Sequence, residues 1–218
     1  MCIKTESIKT LLEDLFQKKC SDIKIADMLL VQSITVDSLD FNNNKIMVIF
    51  DEIKNFKNLR YLEICNIDIT DSIIDSLLSL PYLESIVFRN CEFSNDLSII
   101  SNDLKIRKIM VDSCDKFKFI YFSNITSLKS IAIKDTVVNS FNGLKKIHLR
   151  YFEIIGDCAI SRFSVSYLNV ENFILSKNIY NKYINILSDF SSNIMVYADD
   201  GFYIERQIYR DSSMCFAA

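Results

Sequence analysis

Tryptophan is absent from this chain of 218 residues, histidine and proline occur once each, and glycine only three times. Each scarcity removes a class of structure or chemistry. Three glycines are few for a fold of tight hairpins or for a phosphate-cradling loop, and neither GxGxxG nor a P-loop occurs. A single histidine, His148, and the lack of any CxxC pair remove most zinc-site patterns, HExxH included. The seven cysteines are odd in number and scattered, at Cys2, Cys20, Cys65, Cys91, Cys114, Cys158 and Cys215. Reduced thiols in an intracellular protein account for them more simply than a disulfide framework does. No apolar run approaches the roughly 20 residues that span a bilayer, and residues 1–7 lack the apolar core of a secretory signal. The expectation is therefore a monomeric cytoplasmic protein, with the nucleus as the other compartment open to it.

What is present is globular in character: 50% of residues are hydrophobic and 24% charged. The formal net charge of −3 is too small to point to nucleic acid or a membrane. The chain suits one domain or one repeat array with a sizeable core.

A repeat is visible. Leu59, Leu62, Ile64, Ile67 and Ile69 fit LxxLxLxx(N/C)x(L/I), and the frame recurs around Leu39, Ile86, Ile109, Ile131, Ile147 and Leu168. Successive centres fall at 39, 62, 86, 109, 131, 147 and 168, in steps of 23, 24, 23, 22, 16 and 21. Of 28 positions that the frame requires to be apolar only Lys116 fails, where composition alone would fill roughly half. The alternation predicts short strands with one face in a core and the other in solvent. Because such a strand cannot bury its face alone, neighbours stack in parallel. The step of 16 leaves two options, a shortened outer side in that copy or a displaced frame near 131–147. Residues 70–80 predict a helix capped by Thr70 or Asp71, with Ile73, Ile74, Leu77 and Leu78 on one face and Pro81 ending it. The turn position holds Asn44, Cys91, Cys114 and Thr136, so Cys91 and Cys114 are expected as buried structural thiols.

On these residues the sequence resembles the leucine-rich-repeat family, in particular its ribonuclease-inhibitor and cysteine-containing classes. The resemblance implies an α/β solenoid with a parallel sheet on a concave face, short helices and turns on the convex face, and protein binding on the concave side. The divisions expected are a helical N-terminal cap at 1–33, with Ile8, Leu11, Leu12, Leu15 and Phe16 on one stripe, and about seven repeats at 34–175. A C-terminal cap at 176–205 and a tail at 206–218 complete the chain.

In this frame the candidate partner-binding residues are Tyr61, Glu63, Arg89, Lys108, Met110, Lys134, Lys146, His148, Arg150 and Tyr167. The cations would form a basic strip for an acidic protein segment, with Tyr61, Met110 and Tyr167 as anchors. The bland alternative is a solvated sheet face. His148 has no nucleophile in a motif to serve, so it reads as a surface residue. No catalytic residue, cofactor or metal is expected, and Asp199-Asp200 before Gly201 reads as a turn. Nucleic acid is not expected, since aromatic residues do not interleave the basic ones. The alternative function is a membrane-tethered adaptor: Cys215-Phe216-Ala217-Ala218 fits C-a-a-X loosely, making Cys215 the candidate lipidation site; an enzyme whose constellation spacing does not reveal is the remote alternative.

Overall fold

The computed structural model describes residues 9–10, 12–13, 16–38, 46–93, 105–115, 117–118, 125–145, 147–160, 168–187, 193–197 and 203–207. One nine-stranded sheet dominates, formed by β1 (Ser33–Asp37), β2 (Tyr61–Cys65), β4 (Ser85–Arg89), β6 (Lys108–Asp112), β8 (Ser130–Lys134), β10 (His148–Ile155), β12 (Asn169–Ser176), β13 (Asn193–Tyr197) and β14 (Tyr203–Gln207). These strands neighbour one another in chain order; the first eight are parallel and β14 closes the row antiparallel. Shorter strands form a second layer as the chain leaves the main sheet. β3 (Asp68–Ile69) pairs with β5 (Glu92–Phe93), and β9 (Val137–Ser140) lies between β7 (Phe117–Lys118) and β11 (Ala159–Ile160). One turn of the chain per main strand, advancing along a parallel sheet, makes this an α/β solenoid.

Alternation within each strand decides which face is covered. Leu62 and Ile64, Ile86 and Phe88, Ile109 and Val111, and Ile131 and Ile133 are all buried on one side. Their register partners are the same residues one repeat on. Helices α1 (Ile25–Met28), α2 (Ile46–Ile53), α3 (Asp71–Leu78) and α4 (Lys177–Leu187) supply part of the cover. In α3 the spacing buries Ile73, Ile74 and Leu77, and Thr70 precedes it in extended conformation as the expected boundary. Further along, Phe rings take over: Phe93 meets Phe88 and Phe117 edge-on, at 5.2 and 4.9 Å between centroids, and Phe152 stacks on Phe173 at 5.2 Å. Such contacts add about 0.5–1.5 kcal/mol beyond their area. At the N-terminal end Leu12 is buried and Phe16 packs against the core; Ile8, Leu11 and Leu15 lie outside the described residues.

The observed register shifts the sequence frame at both ends. Ile34 and Val36 pair with Leu62 and Ile64, so the first strand starts at Ser33 and not around Leu39, which with Asn44 is outside the described residues. Phe152 and Ile154 pair with Ile131 and Ile133, and Phe173 and Leu175 pair with Phe152 and Ile154. Ile194 and Val196 continue the series. The centres therefore fall at 34, 62, 86, 109, 131, 152, 173 and 194, with steps of 28, 24, 23, 22, 21, 21 and 21. The step of 16 is a displaced frame. Its cause is that β10 and β12 begin earlier than the other strands, so Ile147 and Leu149, both buried, imitate the apolar pair. A bulge separates the two apolar pairs, with the N–H groups of Arg150 and Tyr151 both donating to the Lys129 carbonyl. The segment expected to act as a C-terminal cap thus contains a strand in the same register as the repeats.

A second ladder holds the turns. Asn66, Asn90, Ser113, Asp135 and Gly156 all have positive φ, between 45° and 72°. The N–H groups of the first four each donate to the last carbonyl of the next main strand, at 2.9–3.3 Å. Just beyond, the side chains of Cys91, Cys114, Thr136 and Cys158 each reach back to carbonyls of their own and the preceding repeat. The N–H of Cys91 donates to Cys114 Sγ at 3.3 Å and that of Cys114 to Thr136 Oγ1 at 3.2 Å. Backbone groups stranded where the chain leaves the sheet are satisfied repeat to repeat, and the buried cysteines are part of that scheme.

Candidate functional site

The uncovered face of the sheet carries three outward columns. The first runs Tyr61, Ser85, Lys108, Ser130, Tyr151 and Asn172; the second Glu63, Val87, Met110, Ala132, Glu153 and Ile174; the third Cys65, Arg89, Asp112, Lys134, Ile155 and Ser176. Parallel register fixes these neighbours, about 4.8 Å apart from strand to strand. Val87 and Ala132 are short side chains buried although they point to the open side, 4% and 7% exposed. With Met110 between them they make an apolar floor, and Tyr61 and Tyr151 stand in the first column two strands to either side of Lys108. Tyr61 is partly buried, and that burial pushes its phenol above the ordinary range.

Opposite charges alternate along the third column and into the second. Arg89 Nε and Nη2 donate to Glu63 Oε1 at 3.1 and 3.0 Å, and its Nη1 donates to Asp112. Asp112 is nearly buried and also meets Lys134 at 3.6 Å, while Lys134 approaches Asp135 at 3.9 Å. Thr35 donates to the other oxygen of Glu63 at 3.4 Å. The Glu63 hydrogen bond raises the Arg89 guanidinium further above its ordinary value. Cys65 lies beside this network; burial, then the charges of Glu63 and Asp37, push its thiol up to about 11. Burial likewise raises Cys158, and Cys114 is held protonated by its hydrogen bond with Cys91 and by burial. Cys91 goes the other way: its hydrogen bond with Cys114 lowers it, although it is buried.

Just ahead of the first column lies a fourth, set by the bulge: Arg60, Glu84, Arg107, Lys129 and Arg150 each donate an N–H, together with the residue that follows, to one carbonyl of the previous repeat. Arg60 and Glu84 form an ion pair. In the early part of β10, His148 Nε2 lies 2.9 Å from Glu171 Oε1 and Nδ1 lies 3.0 Å from Asn169 Oδ1. Both ring nitrogens face oxygen, which raises the imidazole above its ordinary value, by the Asn169 and then the Glu171 hydrogen bond.

The expected site residues thus separate into groups. Tyr61, Glu63, Arg89, Lys108, Met110 and Lys134 share the uncovered face, with Glu63, Arg89 and Lys134 inside one ion-pair network. His148 and Arg150 belong to the strand-entry region and not to the three columns, because the displaced frame had put them there. Lys146, Tyr167 and Cys215 lie outside the described residues, as do Asp199 and Asp200. Arg107, Lys129 and Tyr151 were missed as candidates; a frame held to near-uniform steps past Ile131 would have put Tyr151 in line with Tyr61. Among the described residues no group of three or more His, Cys, Asp or Glu converges on a point that could hold a metal. No described helix is long and apolar enough to cross a membrane.

Sheet, turn ladder and open face together define the class: a parallel-β solenoid with one solvent-facing sheet surface. No family model matches the sequence, and no curated protein does. Among solved structures the chain is similar to a crystal structure of an internalin from Listeria monocytogenes, at 14% identity and a TM-score of 0.35, covering 88% of this chain and 75% of that one.

Proposed function

We propose that this chain is a leucine-rich-repeat protein of the cysteine-containing kind, acting as a non-enzymatic scaffold that holds a protein partner on the uncovered face of its sheet. The observation that carries the reading is the apolar floor of Val87, Met110 and Ala132 between Tyr61 and Tyr151, aligned across five strands in register. Aromatic anchors beside a desolvated centre are the usual source of interface energy, and the ion-pair network around Arg89 stiffens the surface that presents them. Closure of the solenoid's first end by the N-terminal helical segment belongs to the same reading, with Leu12 already in the core. The free thiols Cys65, Cys91, Cys114 and Cys158 fit a reducing compartment, so cytoplasmic residence is part of the proposal.

The test is crosslinked capture from the native cells, with mass spectrometry, comparing wild type with Tyr61→Ala/Tyr151→Ala. Loss of one defined partner by a variant that keeps the wild-type circular dichroism supports the reading. Equal capture by both, or no protein captured by the wild type, overturns it.

A further inference from the structure

On the open side of the sheet, cations outside the ion-pair network gather at the strand entries. Along the fourth column the order is Arg60, Glu84, Arg107, Lys129, Arg150 and Glu171. Its flanks are internally matched, Arg60 with Glu84 and Glu171 with His148. The middle three are all cationic, all exposed, and make no ion pair among the described residues. Lys108 follows Arg107 in the chain and is also exposed without an ion pair among them. The Arg150 guanidinium lies over the Tyr151 ring, 5.5 Å from its centroid, which orders it on the same side as that anchor. Lys129 lies near enough to His148 for its charge to oppose the imidazolium. Like charges on adjacent strands repel, so nothing in the fold itself is gained by placing three of them in line. The third column of the same sheet, by contrast, alternates in sign through Arg89, Asp112 and Lys134.

We propose that Arg107, Lys129 and Arg150, with Lys108 beside them, form an anion-binding row that clamps an acidic segment of a partner protein. The inference rests on the reading of the chain as a protein-binding scaffold and names the partner's chemistry. At strand spacing the three cations span about 10 Å. An extended segment repeats side chains on one side every ~7 Å, so two Asp or Glu carboxylates fit within the length of the row. A nucleic-acid backbone fits less well. Its charge continues past both ends of the row, where it would meet Glu84 and Glu171, whereas a short acidic cluster ends before them. Arg150 and Tyr151 join the row to the apolar floor, so acidic residues followed by an apolar one would engage both.

The test uses the full chain and a fluorescein-labelled twelve-residue Glu-rich peptide, read by fluorescence anisotropy at 50 and 300 mM salt. The comparison is Arg107→Glu/Lys129→Glu/Arg150→Glu against a charge-matched control, Lys54→Glu/Lys177→Glu/Lys182→Glu, each checked by circular dichroism and melting. Expected are salt-weakened binding by wild type and control, and an affinity reduced by about tenfold or more in the row variant. Should the row variant melt early, single reversals at Lys129 and Arg150 must each weaken binding by at least about threefold. Equal affinity in wild type and row variant, no binding by wild type at 50 mM salt, or tighter binding of a single-stranded RNA of equal charge would overturn the proposal. The capture experiment separates this from the broader reading: a partner retained by the row variant but lost by Tyr61→Ala/Tyr151→Ala leaves the scaffold standing and removes the row.

Discussion

Gly156 offers the sharpest perturbation of the fold. It is the fifth member of the left-handed turn series, at φ 72°, where Asn66, Asn90, Ser113 and Asp135 manage with side chains at φ 45–57°. At Gly156 a side chain would also collide: a Cβ placed there overlaps Asp135 Oδ1 and lies 2.8 Å from its Cγ. That oxygen is engaged, accepting the Asp157 N–H at 2.8 Å. Gly156→Ala therefore has two costs. The left-handed backbone contributes about 1–2 kcal/mol for a residue with a Cβ. Swinging the carboxylate aside breaks a hydrogen bond to a charged group, which contributes about 1.5–3 kcal/mol. Allowing for relaxation, the variant should lose about 2–4 kcal/mol in urea unfolding followed by circular dichroism, with an unchanged m value. In an Asp135→Gly background the collision is gone, and the same Ala substitution should cost only the backbone share. A loss below about 0.5 kcal/mol in the wild-type background, or an undiminished loss in the Asp135→Gly background, would refute the reasoning.

Arg89→Met should destabilise by about 1–2 kcal/mol, because it takes a directly bonded cation from the buried Asp112 and leaves it the Ser113 hydroxyl at 3.0 Å and Lys134 at 3.6 Å; Arg89 is 45% exposed, which keeps the figure below that of a fully buried pair. Urea midpoints for Arg89→Met and Lys108→Met decide it, since Lys108 has no ion pair among the described residues to lose. Cys65, with its thiol raised to about 11, should alkylate about tenfold faster per pH unit between 8 and 10 without levelling off. The unfolded thiol ionises first, so the stability this shift contributes is intact below pH 9 and disappears as pH rises toward 11; a rate plateau below pH 10 would contradict the burial argument. His148, the chain's one histidine, should titrate above 6.5 by NMR and fall back in Glu171→Gln. Its raised value means a contribution to stability that is whole below pH 6.5 and lost as pH rises through the folded value.

The repeat was legible because its physics is local. Apolar residues two apart in a strand, with a polar neighbour, mark the covered face without reference to any partner strand. The central copies around Leu62, Ile86, Ile109 and Ile131 fall in register for that reason. The frame slips where the local signal is ambiguous: β10 and the residue before it read Ile147, Leu149, Phe152, Ile154, and either pair satisfies the pattern. Only the hydrogen bonds of Arg150 and Tyr151 to one carbonyl reveal the bulge between them. That slip put His148 and Arg150 among the face residues and left Tyr151 out. The ion-pair network was illegible for another reason. Glu63, Arg89, Asp112 and Lys134 come from four successive repeats, and their alternation of sign emerges only once the strands are aligned. A strip that looks basic along the chain is balanced across it.

The fourth column gives a consequence for stability opposite in sign to that of the network. Lys129 stands between Arg107 and Arg150, one strand from each. Two unit charges about 5–7 Å apart in water repel by about 0.6–0.8 kcal/mol, and physiological salt removes roughly half of that. Lys129→Gln should therefore stabilise the fold, by about half a kcal/mol at low salt and by a vanishing amount near 1 M salt. Arg60→Gln, which strips Glu84 of its partner, should be neutral or mildly destabilising at either salt. Paired urea titrations of the two variants at 20 mM and 1 M salt measure the contrast. If Lys129→Gln is destabilising at both salts, the lysine stem is packing against the sheet and the row has a structural purpose. If it stabilises while weakening the Glu-rich peptide, the like charges are held against the interest of the fold, which is the expected signature of a surface kept for binding.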